Sequence, residues 1–192
     1  IITDSNVGPL FLAPVEQGLK EAGLTVGVAT FDAGEQSKNP RTYAELLERA
    51  AEEQLTRDDV IIALGGGVVG DLAGFVAATY MRGIGYIQVP TTLLAMVDSS
   101  VGGKTAIDLS AGKNLAGAFW QPLAVIADAG CLGTLSDEQF ADGCAEVIKH
   151  ALIADAELFA ELEKTPLTLD LLKQDLARVC WLIARNVDIK RA

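Results

Sequence analysis

Positive charge and histidine are what this chain has least of. Fifteen lysines and arginines stand against 26 aspartates and glutamates, giving a net charge of −11 and an isoelectric point near 4.5. That balance argues against a nucleic-acid partner, whose phosphates need a basic face. The 3 cysteines, Cys131, Cys144 and Cys180, are odd in number and form no C-x-x-C pair. They read as reduced thiols of a cytoplasmic chain, with metal ligation disfavoured. No apolar run reaches the roughly 18 residues a membrane helix needs, because glycines and charges interrupt each one. No charged, apolar, small-residue leader opens the chain, and no repeat, low-complexity tract or flexible linker interrupts it. What is present suits an enzyme. Half of the 192 residues are hydrophobic, ample for a core, and the length predicts one domain or one and a half.

Periodicity predicts an α/β unit followed by the start of a helical one, with the division at 134/135. Ile1 to Thr3 reads as the tail of a strand, Pro9 to Ala22 as a helix and Leu24 to Phe31 as a strand. Asn39 and Pro40 form an N-cap and first-turn pair for a helix reaching about Gln54. Further strands are expected at Val60–Leu64, Ile84–Val89 and Ala124–Asp128, and alternation of strand and helix implies a mostly parallel, Rossmann-like sheet flanked by helices. From Ser136, which makes a capping box with Gln139, helices are expected at 137–152, 155–164 and 168–190, the beginning of an all-α domain.

The most informative stretch runs from Asp59 to Lys113. Val60 to Leu64 is a short continuous apolar run, as in a strand buried on both faces. Gly65, Gly66, Gly67 and Gly70 follow, residues that tolerate positive φ and let backbone N–H groups approach a ligand. Helical spacing from about Val69 to Met81 puts these glycines at a helix N-terminus, which favours a pyrophosphate. The spacing is G-G-G-x-x-G-D and not the G-x-G-x-x-G fingerprint. Alone, such a loop is also explained by close helix packing. Lys38, Arg82, Lys104, Lys113 and Lys149 lie in or near the glycine-rich segments, so the scarce positive charge is concentrated where an anion would sit.

Taken together, Gly34-Glu35-Gln36-Ser37-Lys38, Gly65 to Asp71, Val89 to Ala95, Met96 to Thr105, Gly112-Lys113-Asn114 and Ala145-Glu146-Val147-Ile148-Lys149 resemble the 3-dehydroquinate synthase family in order and spacing. The resemblance covers nearly the whole chain and is strongest from Asp59 to His150. It implies an NAD site made by Glu35, Lys38, Gly66, Gly67, Val68, Val69, Gly70, Asp71, Thr91, Thr92, Lys104, Lys113, Cys131 and Thr134. In the family the Glu35 and Lys38 positions touch the adenosine half of the cofactor. An Asp usually precedes that motif's glycine; here Ala33 stands there, with Asp32 one position earlier.

The resemblance further implies catalytic roles for Asp98, Lys104 and Lys149, and substrate contacts from Arg82, Lys104, Lys113, Asn114 and Lys149. The matching family arginine for Arg82 binds phosphate across a dimer interface; a helix-terminal cation answering the dipole is the bland account. For the lysines the bland account is a solvated surface, weakened for Lys104 and Lys113 by their glycine neighbours and by Asn114. Glu146 and Lys149 lie three apart and share a helix face. An exposed ion pair would explain an arbitrary E-x-x-K, but here the flanking residues are small or apolar, and a buried carboxylate needs a partner or a metal. In the family this Glu ligates the metal, Zn²⁺ or Co²⁺, and His150 is expected to carry no ligand duty.

A catalytic zinc site takes three protein ligands, and a chain with one histidine cannot complete one in the family's way. The resemblance therefore implies a fragment, or a partly ordered chain, of a longer protein, inactive by itself. For the whole enzyme it implies conversion of 3-deoxy-D-arabino-heptulosonate 7-phosphate to 3-dehydroquinate and phosphate in the shikimate pathway of aromatic amino acid biosynthesis, by a cytoplasmic, homodimeric, NAD- and metal-dependent lyase. Open alternatives are another sugar-phosphate cyclase such as 2-deoxy-scyllo-inosose synthase, an iron-dependent alcohol or glycerol dehydrogenase, and an inactive NAD-binding or dimerisation fragment.

Overall fold

In the computed structural model, which describes residues 1–191, five parallel strands form one sheet in the order β2-β1-β3-β4-β7. They are β1 (Ile2–Asp4), β2 (Ala29–Phe31), β3 (Val60–Gly65), β4 (Gly85–Pro90) and β7 (Ala124–Val125). The helices α1 (Ala13–Glu21), α2 (Pro40–Glu52) and α3 (Gly67–Thr79) are its crossovers. An antiparallel hairpin of β5 (Lys104–Leu109) and β6 (Gly112–Phe119) packs on α3. Then come α4 (Asp137–Ala154), α5 (Ala156–Lys164), α6 (Leu169–Gln174) and α7 (Leu176–Arg191).

The sheet holds because β3 and β4 pair along six residues, from Val60 with Gly85 to Gly65 with Pro90. Ile61, Ala63, Ile84 and Tyr86 are buried and meet Val69, Leu72, Ala73 and Val76 of α3 in one core. Each such side chain taken out of water contributes on the order of 1.5–3 kcal/mol before entropy is charged against it. Asn39 caps α2 as expected, its side-chain oxygen accepting from the N–H groups of Arg41 and Thr42 at 2.9 and 3.0 Å. Across the layers Tyr43 of α2 stacks on Phe75 of α3, ring centres 4.6 Å apart.

A second core joins Leu93, and Met96 and Val97 of the helical turn Ala95–Ser99, to Leu132, Val147, Leu158, Val179 and Leu182. The helical segments are therefore seated on the loops after β4 and β7, not hung beyond them. The Ser136–Gln139 capping box opens α4 as predicted.

Four expectations change in detail. The predicted strand 24–31 is hydrogen-bonded as a strand only over Ala29–Phe31, since its partner β1 offers three residues. The predicted strand 124–128 shortens to Ala124–Val125 at the sheet edge. The helix expected over 168–190 is two, broken at Asp175, whose carboxylate accepts from Arg178 N–H at 3.0 Å to cap α7. The hairpin β5–β6 has no counterpart among the predicted elements. Among the described residues no helix is long and apolar enough to cross a membrane.

Candidate active site

The chain runs from β1 out to β2, then returns to the other side of β1 to form β3. Parallel sheets bind ligands at the carboxyl ends of their strands where the winding reverses in this way, and Gly65, Gly66 and Gly67 leave β3 at that point. Gly66 is the N-cap of α3 with no side-chain cap, and the helix's first internal bond there is Gly70 N–H to Gly66 O. The N–H groups of Gly67, Val68 and Val69 are thus free of the ladder and face whatever lies beyond the strand end. None of these glycines has a positive φ. Their need is room: a Cβ on Gly65 would lie 2.4 Å from Val69 Cγ2, and one on Gly70 2.8 Å from Gln88 Oε1.

Beside the loop, Lys38 is only 4% exposed. Its ammonium meets Asp71 Oδ2 at 2.6 Å and Glu35 Oε1 at 4.0 Å. Burial pushes the Asp71 carboxyl up from the usual carboxylate range, and the Lys38 hydrogen bond and charge pull the other way. Lys113, reaching over from β6, contacts Glu35 Oε1 at 3.1 Å. Asp108 of β5 donates its N–H to Lys38 O at 2.8 Å, and its carboxylate accepts from Asn114 N–H at 2.8 Å. The hairpin therefore carries Lys113 and Asn114 to the same edge as the Glu35–Lys38 segment. Ala33, in place of the expected Asp, donates its N–H to Ser5 Oγ at 2.9 Å, and Asp32 is exposed. Asp4, unread in the sequence, closes the end of β1 by accepting from Asn6 and Val7 N–H groups at 2.9 and 2.8 Å.

Thr91 donates its N–H to Gly65 O at 3.0 Å, and Thr92 Oγ1 accepts from Ala95 N–H at 3.2 Å. The two threonines thus fasten the glycine loop to the turn that carries Asp98. Lys104 is exposed at the first residue of β5. Cys131 is buried in the turn Ala129–Thr134, and Thr134 Oγ1 donates to its carbonyl at 2.8 Å. Burial pushes the Cys131 thiol up.

Asp98, Glu146 and His150 form a second cluster, one donor atom of each lying within 4.8 Å of the others. Lys190 of α7 reaches Asp98 Oδ1 at 2.7 Å and also its carbonyl oxygen. Lys149 is ion-paired with Glu146, and that hydrogen bond, above all, holds the Lys149 ammonium above its ordinary range. His150 is 3% exposed, and its Nδ1 lies 3.0 Å from Asn186 Oδ1. Two carboxylates and an imidazole are an apt donor set for Zn²⁺ or Co²⁺, so these residues fit a divalent cation.

Arg82 is not brought to either cluster. It follows α3 at the amino end of β4, roughly 20 Å of helix from the glycine loop, exposed and at φ +70° after Met81 at φ +50°. Asn186 and Lys190 went unread; their i, i+4 spacing on the buried side of an otherwise charged helix is the signal that marks them. Two surface clefts of about 310 and 260 Å³, one lined by α5 and α7 and the other by β2 and α2, lie apart from all these groups.

A family model described as 3-dehydroquinate synthase N-terminal matches residues 28–142. The 3-dehydroquinate synthase of Caldanaerobacter subterraneus subsp. tengcongensis is 51% identical over 190 residues, 99% of this chain and 53% of that protein. This chain thus spans about half the length of the curated relatives it matches. Among solved structures, a 2-deoxy-scyllo-inosose synthase complexed with carbaglucose-6-phosphate, NAD⁺ and Co²⁺ superimposes with a TM-score of 0.86 at 30% identity, over 99% of this chain and 51% of that one. The 2-epi-5-epi-valiolone synthase of Streptomyces hygroscopicus subsp. jinggangensis, with NAD⁺ and Zn²⁺ bound, gives 0.88 at 28% identity, over 98% and 52%.

Proposed function

We propose, from the premise that this chain belongs to the 3-dehydroquinate synthase family, that it supplies the dinucleotide-binding half of that enzyme's active site. The observation that carries the reading is the placement of the α3 N-terminus at the sheet's winding reversal, flanked by Glu35, Lys38 and Asp71. The free N–H groups of Gly67, Val68 and Val69 take the cofactor's pyrophosphate. Glu35 and Lys38 bind the adenosine side, with Asp71 holding the Lys38 ammonium in place. Thr91, Thr92, Cys131 and Thr134 line the rest of the dinucleotide path.

The substrate is 3-deoxy-D-arabino-heptulosonate 7-phosphate, and the products are 3-dehydroquinate and phosphate. When bound, NAD⁺ takes up and returns a hydride, and a divalent cation polarises a substrate hydroxyl. Glu146 holds that cation. Lys104, Lys113 and Asn114, on one hairpin, hold the phosphate and stabilise it as it leaves. Asp98 and Lys149 face the reacting carbons, each paired with an opposite charge, Lys190 and Glu146 respectively. The same reading makes the whole protein a cytoplasmic homodimer in which Arg82 of one copy serves the other's phosphate site, in keeping with its exposure far from its own cluster.

The runner-up is another sugar-phosphate cyclase, favoured by the solved neighbours at 28–30% identity but outweighed by the relative at 51%. Competitive calorimetry separates them. With saturating NAD⁺ and Co²⁺, the heptulosonate phosphate should bind at least tenfold tighter than glucose 6-phosphate; the opposite preference would move this chain to the other cyclases.

A further inference from the structure

The β5–β6 hairpin falls out of register near its tip. Ile107 pairs with Ala116 but Leu109 pairs with Gly112, so Asp108 alone stands opposite Lys113, Asn114 and Leu115. Bulges of this kind recur beside active sites, where they re-aim side chains. In an unbroken strand neighbouring side chains point to opposite faces, which would aim Lys113 and Asn114 apart. The bulge breaks that alternation at Asn114, whose backbone is left-handed at φ +57°. Residues with a Cβ populate this conformation sparsely, and it persists where the surroundings hold it. Asp108 supplies the hold: its Oδ1 accepts the Asn114 N–H at 2.8 Å. Asp108 is itself pinned, because its own N–H donates to Lys38 O at 2.8 Å. The Glu35–Lys38 segment, one carboxylate and the bulge thus form a single hydrogen-bonded unit.

We propose that Asp108 is a positioning residue for the phosphate contacts, holding Asn114 in the left-handed bulge from which Lys113 and Asn114 together address one phosphate. The inference rests on reading those two residues as phosphate ligands and adds what aims them. Charge alone argues against an acid at this place, since a carboxylate near a phosphate site repels the ligand. Asp108 therefore serves the site through its acceptor oxygen and in spite of its charge. The two effects can be taken apart. Asparagine keeps an acceptor oxygen and drops the charge; alanine drops both.

The test titrates 3-deoxy-D-arabino-heptulosonate 7-phosphate into the NAD⁺-saturated chain by calorimetry, with the Cα and Cβ chemical shifts of Asn114 reporting its backbone conformation. Asp108→Asn should keep the left-handed shifts and bind the substrate at least as tightly as the unsubstituted chain. Asp108→Ala should lose those shifts and bind about tenfold more weakly, the order expected for a hydrogen bond to a charged acceptor. If Asp108→Ala binds as tightly as the unsubstituted chain, or tighter, as loss of a repelling charge alone would give, the proposal falls and the phosphate reading stands. It falls likewise if the Asn114 shifts survive in Asp108→Ala. If Asn114→Ala leaves the affinity unchanged, or the substrate does not bind at all, the phosphate reading fails and takes the proposal with it. Where the alanine variant does not fold, Asp108→Asn decides: weaker binding or altered Asn114 shifts there would overturn the assignment.

Discussion

Lys38 is a charge held almost out of water, and its partner Asp71 is the reason it can stay there. Replacing it by methionine strands a buried carboxylate, which costs about 3–5 kcal/mol when a buried pair is broken from one side. Urea unfolding at neutral pH should show a loss of that order. The pH dependence follows from Asp71. Its carboxyl titrates above the ordinary value in the folded chain, so the native state binds more protons than the unfolded one between the two values. Its contribution to stability therefore falls as pH rises through the raised value. Lys38→Met removes an influence that lowers Asp71, raising it further, and a neutral Asp71 no longer misses its partner. The deficit of Lys38→Met should shrink on acidification; an unchanged deficit would mean that the pair is not what buries Lys38. Cysteine reactivity is a second test at this scale. Burial pushes the Cys144 thiol up to about 11, while Cys180 is exposed. Alkylation at mildly alkaline pH should modify Cys180 on the order of a hundredfold faster than Cys144, read by peptide mass; equal rates would contradict that burial.

Helix α3 shows which elements were legible. Val60–Leu64, the glycines and the long small-residue run after them announce strand, turn and buried helix, because a segment covered on all sides must be apolar throughout. Leu72→Ala, at a fully buried position of this helix, should cost about 2–5 kcal/mol, measured by the shift in urea midpoint. The β5–β6 hairpin was illegible for the opposite reason. Only Thr105 and Ile107 of β5 point into the core, between Lys104, Ala106 and Asp108, and β6 buries none of its residues. Its two-residue Ser110–Ala111 connection lacks the Asn-Gly chemistry that marks hairpins. What fixes it is tertiary: Trp120 Nε1 donates to Ile84 O at 2.9 Å, and the Tyr86 hydroxyl to Trp120 O at 3.0 Å. The α6–α7 break was equally hidden, since Asp175 interrupts a pattern whose charges already resembled a solvated helix face.

Over the whole molecule, the candidate site divides along the same line. Glu35, Lys38, Asp71 and Lys113 were singled out from separate motifs and meet around one loop. Asp98, Glu146 and Lys149 meet around another. Asn186 and Lys190 were missed because their meaning depends on α7 packing against α4 and the Ala95–Ser99 turn: Asn186 meets His150 and Lys190 meets Asp98, 36 and 92 positions away, so their i, i+4 spacing marks a helix face without saying what it touches. Two cores and one acidic surface thus frame a small set of cations, most of them already engaged by carboxylates and ready to exchange them for an anionic ligand. On the function proposed above, this chain binds a nicotinamide dinucleotide at the end of β3. Calorimetric titration of the chain with NAD⁺ tests it most directly: saturable one-to-one binding, weakened at least tenfold in Lys38→Met, is the predicted result, and no binding, or binding indifferent to that substitution, would contradict it.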